Sequence, residues 1–323
     1  MELLTGEQIS DCCSWRGLWN FEKGSISVKL KEQFAPGLEL PGMLQPTDLA
    51  GCVTSRAAME FGLAQGTPVY VGLNDFYAGL LGMGIIREGD MFDISGTSEH
   101  VGVISREVLP TDMVSGPYLR HCVTYGGTKA SGVSCDFGRR ELYAGDWNTE
   151  EILKSQPPIF LPYLRGERAP IFNEDARGVF FGIHDRTDRK QMGYSVLEGV
   201  VFSIYDIASR LTMDTNGVLI CGGGSSVNPC MTMLKAELFD MEIRTVSEPD
   251  TSALGAAMTA MVGAGVFSDY EEACREAVHY TQSVYPTGVC RELLLERFGL
   301  YRRVYESLRE EFHYFSRMEE RKV

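Results

Sequence analysis

Asp75 follows an apolar run, residues 69–73, and the polar Asn74. An aspartate closing a strand of an α/β protein lies where such sheets hold their ligands. A carboxylate there can orient a substrate hydroxyl and accept its proton. In phosphoryl transfer the transition state is loose, so the proton leaves late and orientation is the main service. The competing reading is an aspartate that caps a helix starting at Phe76. About twenty residues further on, two apolar-rich runs, residues 91–95 and 100–104, fold about Gly96-Thr97-Ser98. A tight Gly-Thr turn between strands can aim N–H groups and a hydroxyl at a phosphate. An ordinary β-turn uses the same residue types.

A third stretch, Gly222-Gly223-Gly224-Ser225-Ser226-Val227-Asn228, lies between an apolar strand and a helix. Consecutive glycines let a ligand approach the backbone, and the following helix offers its positive end to an anion. The stretch is neither a Walker A loop nor a GxGxxG fingerprint. Gly126-Gly127-Thr128 and Gly132 open a further helix and could wall a nucleotide pocket, although a plain loop explains them as well. Arg165 and Arg168, flanking Glu167, could meet phosphate; holding a loop in place is the better reading. His100, His121, His184, His279 and His313 form no spaced set and read as surface or core residues. No HExxH or paired Cys/His spacing is present, so no resident metal is expected.

These residues need elements to position them. The spacing predicts a strand over 69–73, a helix over 76–83, a strand over 116–125, and a helix from about 131 to 143. Residues 189–211 carry Val196, Leu197, Val200, Val201, Ile204, Ile207 and Leu211 at helical spacing. A strand over 218–221, a helix over 229–238, a strand over 241–246 and a helix over 253–262 follow, the last capped from residues 250–252. Residues 291–318 are amphipathic. Before residue 74 the elements are short: a strand at 17–21, a helix over 26–34, a loop over 35–48, and a helix capped by Thr54 that ends near Gly62.

At 323 residues the chain has room for roughly two domains of about 150 residues each. Its 44% hydrophobic and 23% charged residues are those of a globular protein with a sizeable core. A net charge of −14 argues against nucleic acid as the main partner, though not against nucleotides. Nine cysteines, odd in number and without CxxC spacing, read as reduced thiols in a cytoplasm. The first residues lack a signal-peptide pattern, and no apolar run reaches the roughly 18 residues of a membrane span. A cytoplasmic protein without membrane contact is expected.

Five motifs in register carry a resemblance. Gly72-Leu73-Asn74-Asp75-Phe76-Tyr77-Ala78-Gly79, the Ser95–Ser98 hairpin, Phe160-Leu161-Pro162-Tyr163-Leu164-Arg165-Gly166-Glu167-Arg168-Ala169-Pro170, the Gly222–Asn228 turn and Ser252-Ala253-Leu254-Gly255-Ala256-Ala257 occur in the order seen in FGGY carbohydrate kinases. The sequence resembles the xylulokinase-like branch most. The resemblance implies an α/β, actin-like, ribonuclease-H-like ATPase fold of two domains closing over a cleft. It implies ATP-dependent phosphorylation of a sugar hydroxyl, of a pentulose or related carbohydrate. Asp75 matches the family's base, with Asn74 beside it on the substrate side. Gly96, Thr97 and Ser98 match the phosphate loop. Gly223, Gly224, Ser225 and Asn228 match the adenosine site, and Gly132 and Asp136 match the opposing helix. Magnesium would arrive with ATP.

The family opens with an Asp-x-Gly-Thr phosphate loop that has no counterpart here. Residues 1–75 therefore read as a remnant of the N-terminal sugar-binding domain. Residues 76–290 read as a complete nucleotide-binding domain, and 291–323 as a C-terminal amphipathic helix. Three readings follow: one part of a split kinase completed by a separate N-terminal polypeptide, a truncated inactive kinase, or a non-catalytic nucleotide-binding or interaction protein. Besides sugar and ATP, the N-terminal fragment or a second copy in a homodimer is the partner expected.

Overall fold

The central strands are apolar at consecutive positions, so both faces of their sheet are covered by packed layers. The structure, a computed structural model, describes residues 1–211 and 217–320; the last three residues of the expected C-terminal helix, 321–323, lie outside them. One mixed sheet comprises β1 (Met91–Ser95), β2 (Glu99–Ser105), β3 (Val114–Tyr118), β4 (His121–Thr128), β5 (Val218–Gly223), β6 (Glu242–Val246) and β7 (Tyr280–Val284), in the order β7-β6-β5-β1-β2-β4-β3. Strand β5 runs parallel to its neighbours β1 and β6, and the remaining pairs are antiparallel.

Helices cover both faces: α1 (Asp75–Gly82), α2 (Gly132–Phe137), α3 (Arg189–Ala208), α4 (Pro229–Phe239), α5 (Thr251–Gly263), α6 (Tyr270–Ala277) and α7 (Arg291–Glu320). Met91, Val101, Leu219, Cys221 and Ile243 point to the face packed by α3, α4 and α7. Their neighbours Phe92, Ile220 and Val246 point to the opposite face, with Tyr77, Leu80 and Met83 of α1 and its end. Alternate residues of a strand serve opposite layers because Cβ direction alternates. Local chemistry starts the helices: Asp188 and Gln191 form a reciprocal capping box on α3. Asn228 caps α4, with Pro229 in its first turn.

Several expectations are corrected. The extended run before Asp75 ends early: its strand is Pro68–Tyr70, paired antiparallel with Leu49–Cys52. Gly72, at φ 76°, breaks it, so Asp75 opens a helix and does not close a strand of the main sheet. The expected strand over 116–125 is a hairpin, β3–β4, turning at Leu119-Arg120. Leu119 takes φ 50° there, in a turn without the Gly, Asn or Pro that announces one. The helix from 131 is α2 followed by a π-turn, Gly138–Leu142. The 35–48 loop contains a short strand, Gly42–Leu44, paired in parallel with Ile9–Asp11. Residues 13–18 form a 3₁₀ turn where a strand was expected to begin. Helix α6 and strand β7 carried no recognised signal.

Among the described residues, no helix is long and apolar enough to cross a membrane. All nine cysteines are free.

Candidate active site

The β1–β2 hairpin feeds two clefts, one from each face. Its register pairs Asp93 with Val101, Ile94 with His100 and Ser95 with Glu99. Ile94 and His100 face α1; Asp93, Ser95 and Glu99 face α4.

On the α1 side a cleft of about 530 Å³ is lined by Ser14, Arg16, Asn74, Asp75, His100 and Tyr125, among others. Asn74 caps α1, its Oδ1 accepting from Tyr77 N at 3.0 Å. Asp75 is therefore the first helical residue. It is exposed, and its Oδ1 accepts from Phe76 N at 2.7 Å. Among the described residues, Oδ2 accepts no hydrogen bond. Ser252 Oγ donates to the Asp75 carbonyl at 2.9 Å and ties α1 to the start of α5. The capping role set against catalysis at Asp75 thus falls to Asn74. A negative charge in the first turn is favoured by the helix dipole.

His100 packs against the touching rings of Phe76 and Tyr125, with ring centroids at 5.7 and 5.8 Å. Burial, aided by the Arg168 charge, pushes its pKa below the usual imidazole value. It was expected to be a surface or core residue; the pairing of Ile94 with His100 is the signal that puts it in the cleft. Arg16 and Ser14 reach the same cleft from the 3₁₀ turn and had no sequence signal.

On the other side, two adjoining cavities of about 420 and 440 Å³ share Gly96, Gly132 and Asp136. Gly224, Ser225 and Asn228 line the first together with Trp147, and Thr97 lines the second. Residues more than a hundred positions apart therefore face one space. Ser98 is half-buried beside Thr97 on the turn and lines neither cavity. Gly223 lies under the wall, at φ 83°; a Cβ there would sit 1.8 Å from the Ser95 carbonyl oxygen. At Gly224 a Cβ would meet nothing within 4 Å, so that backbone is open to an approaching ligand. Gly132 packs on the turn, its N–H donating to the Gly96 carbonyl at 3.0 Å.

The Arg165–Arg168 segment is anchored by Glu167. Its carboxylate accepts from Thr128 Oγ1 at 2.5 Å, from the N–H groups of Lys129 and Arg168 at 2.7 Å each, and from Ser203 Oγ at 3.3 Å. Burial pushes its pKa up against those four donors. Arg165 itself borders the Thr97 cavity.

The sequence pattern of the C-terminal domain of the FGGY family of carbohydrate kinases matches residues 92–264. The chain belongs to that family. Xylulose kinase of Lactococcus lactis is 29% identical over 318 residues, covering 92% of this chain and 62% of its own. Gluconokinase of Bacillus subtilis is 24% identical over 257 residues, covering 72% of this chain and 50% of its own. The crystal structure of ligand-bound xylulose kinase from Lactobacillus acidophilus superposes with a TM-score of 0.87 at 23% identity, over 97% of this chain and 67% of that one. Glycerol kinase of Plasmodium falciparum with ADP gives 0.80 at 18% identity, over 92% and 63%. The fold is the actin-like ATPase fold of these FGGY kinases. The chain spans 62% and 64% of the lengths of two xylulose kinases it matches.

Proposed function

We propose that this chain binds MgATP in the twin cavities and carries, at Asp75, the base for phosphoryl transfer to a sugar hydroxyl. The observation supporting it most is the convergence of Gly96, Gly132, Asp136, Gly224, Ser225 and Asn228 on one space. Gly132, Asp136, Gly224, Ser225 and Asn228 hold the nucleoside end. Gly96 and Thr97 at the hairpin tip meet the phosphates, and Asp75 lines the cleft on the hairpin's other face. Magnesium neutralises charge on the phosphates when bound. Asp75, with Asn74 at its side, orients the hydroxyl and takes its proton. His100 and Tyr125, which line the same cleft, supply polar contacts to the sugar. Residues 1–75 belong to the sugar-binding domain, residues 76–290 to the nucleotide-binding domain, and 291–323 to the C-terminal helix.

The substrate class is a pentulose or related carbohydrate, and the sugar cleft is completed by a further polypeptide segment packed on residues 1–75. The exposure of Asp75 favours a second reading, in which the chain by itself binds nucleotide without turning over. The test is Asp75→Asn in the chain alone and together with a preceding kinase segment. Sugar-dependent ADP release should fall by about 10²- to 10⁴-fold while calorimetric MgATP affinity stays put. Unchanged turnover would remove Asp75 as the base. Turnover absent in every combination, with intact MgATP binding, would establish the non-catalytic reading.

A further inference from the structure

Behind the nucleotide cavity lies a charged network whose side chains are fully enclosed. Lys235 Nζ of α4 contacts Asp93 Oδ2 at 2.6 Å and Glu99 Oε1 at 2.7 Å, with side-chain exposures of 1%, 0% and 0%. Glu99 then reaches both walls of the cavity. Its Oε2 accepts from Ser131 Oγ, at the foot of α2. Its Oε1 accepts from Ser225 Oγ, in the triple-glycine turn, at 3.0 Å. Ser131 and Ser225 both line the cavity. The Ser225 backbone is fixed as well, its N–H donating to Ser95 Oγ at 2.8 Å while Ser95 Oγ donates to the Gly222 carbonyl at 2.9 Å.

Two carboxyls against one cation leave a charge to be absorbed. Burial, reinforced by the Glu99 charge, pushes Asp93 well above the usual carboxyl range. Burial acts on Glu99 too, but the Lys235 charge and the bonds from Asp93, Lys235 and Ser131 bring it below. The two carboxyls are thus driven apart, Asp93 toward the neutral acid and Glu99 toward the anion that faces Lys235. Apolar residues of similar volume commonly hold such a position at no loss of stability, so a buried ion pair is weak grounds for a stabilising role. Its geometry suggests another: one carboxylate bonds a serine on each side of a ligand cavity.

We infer that Glu99, locked by Lys235, is a positioning residue that sets the spacing between the Ser131 and Ser225 walls and so tunes affinity for the nucleotide. The inference rests on the MgATP reading above. Loss of the Glu99 charge lets the Gly224-Ser225 wall relax away from α2, and the cavity fits its ligand less well.

The test is calorimetric titration of the full chain with MgATP, well below each variant's melting temperature. It uses Glu99→Gln, the charge-balanced Glu99→Gln/Lys235→Met pair, Ser131→Ala, Ser225→Ala, and Ser225→Ala combined with Glu99→Gln. Glu99→Gln and the balanced pair should each weaken binding about tenfold or more. Ser225→Ala should weaken it less, and should add little in the Glu99→Gln background because both act through one contact. Variants that melt earlier yet bind MgATP as tightly as the unaltered chain would overturn the inference and leave the network a purely structural one. If the balanced pair fails to fold, unchanged affinity in both serine variants overturns it equally. An unaltered chain that does not bind MgATP at millimolar concentration refutes the nucleotide reading itself, and the clamp with it.

Discussion

Gly223 and Gly224 are neighbours with opposite reasons to be glycine. Gly223 combines φ 83° with ψ −170°, a region open almost only to glycine, and its missing Cβ makes room for the Ser95 carbonyl. Gly223→Ala should cost about 3 kcal/mol or more, read by denaturant unfolding. Gly224→Ala meets open space, so its stability should stay within about 1 kcal/mol while MgATP affinity falls. The three-glycine string was plain in the sequence, but which glycine has its Cβ blocked by backbone and which faces open space was not. His100 makes a separate prediction. Its folded pKa lies below the ordinary 6.5, through burial and then the Arg168 charge, so the unfolded chain takes up a proton first on acidification. The group therefore adds stability above pH about 6.5, lost as the pH falls through the folded pKa. In His100→Gln the decline of melting temperature between neutral pH and pH about 5 should be shallower. An identical slope would mean that another group governs it.

At the scale of elements, the position of Asp75 depends on how closely α1 and α5 cross. A Cβ on Gly82 would sit 1.9 Å from the Thr251 carbonyl oxygen, and one on Gly255 1.9 Å from that of Ala78. Neither contact can yield, since each partner is backbone. Gly255→Ala should force the helices apart, break the Ser252–Asp75 bond, and lower stability by about 2–4 kcal/mol, measured as a shifted urea midpoint. Glycines and alanines in the Ser252–Ala257 motif signalled close packing in the sequence; the partner helix did not show. The β1–β2 hairpin was legible because its turn carries Gly-Thr-Ser between two apolar runs. The β3–β4 hairpin was not, because Leu119-Arg120 carries no turn chemistry and tertiary packing holds it. Strand β7 is likewise fixed by its pairing with β6, including a bulge between Thr245 and Val246.

The molecule as a whole is well buried around its main sheet and open over its first segment. Leu3, Val28, Phe34 and Met59 are 76%, 73%, 69% and 82% exposed. The parallel pair Ile9–Asp11 and Gly42–Leu44 stands as a two-stranded sheet. Parallel strands are ordinarily covered on both faces and by further strands, and contiguous exposed apolar groups are typical of interaction surfaces. The purified chain should bind an apolar dye such as ANS. Co-expression with the polypeptide that precedes this region in a full-length relative should abolish dye binding and raise the melting temperature. Dye binding that persists in that complex would show that the apolar surface is used for something else.

Caps, periodicity and turn residues act over a few positions, so the sequence by itself determined α3, α4, α5 and α7, the first hairpin, the glycine turn and the family they spell out together. It also singled out Asp75 as the proposed base, from the distinctive residues around it in the chain. Packing alone decided which face of the hairpin each residue serves, and hence that His100 lies with Asp75 while Glu99 lies with Ser225. Lys235 and Glu99 are 136 residues apart and meet only because α4 crosses the sheet beneath the turn. No local preference encodes such a meeting; burial of the surrounding apolar layers creates it.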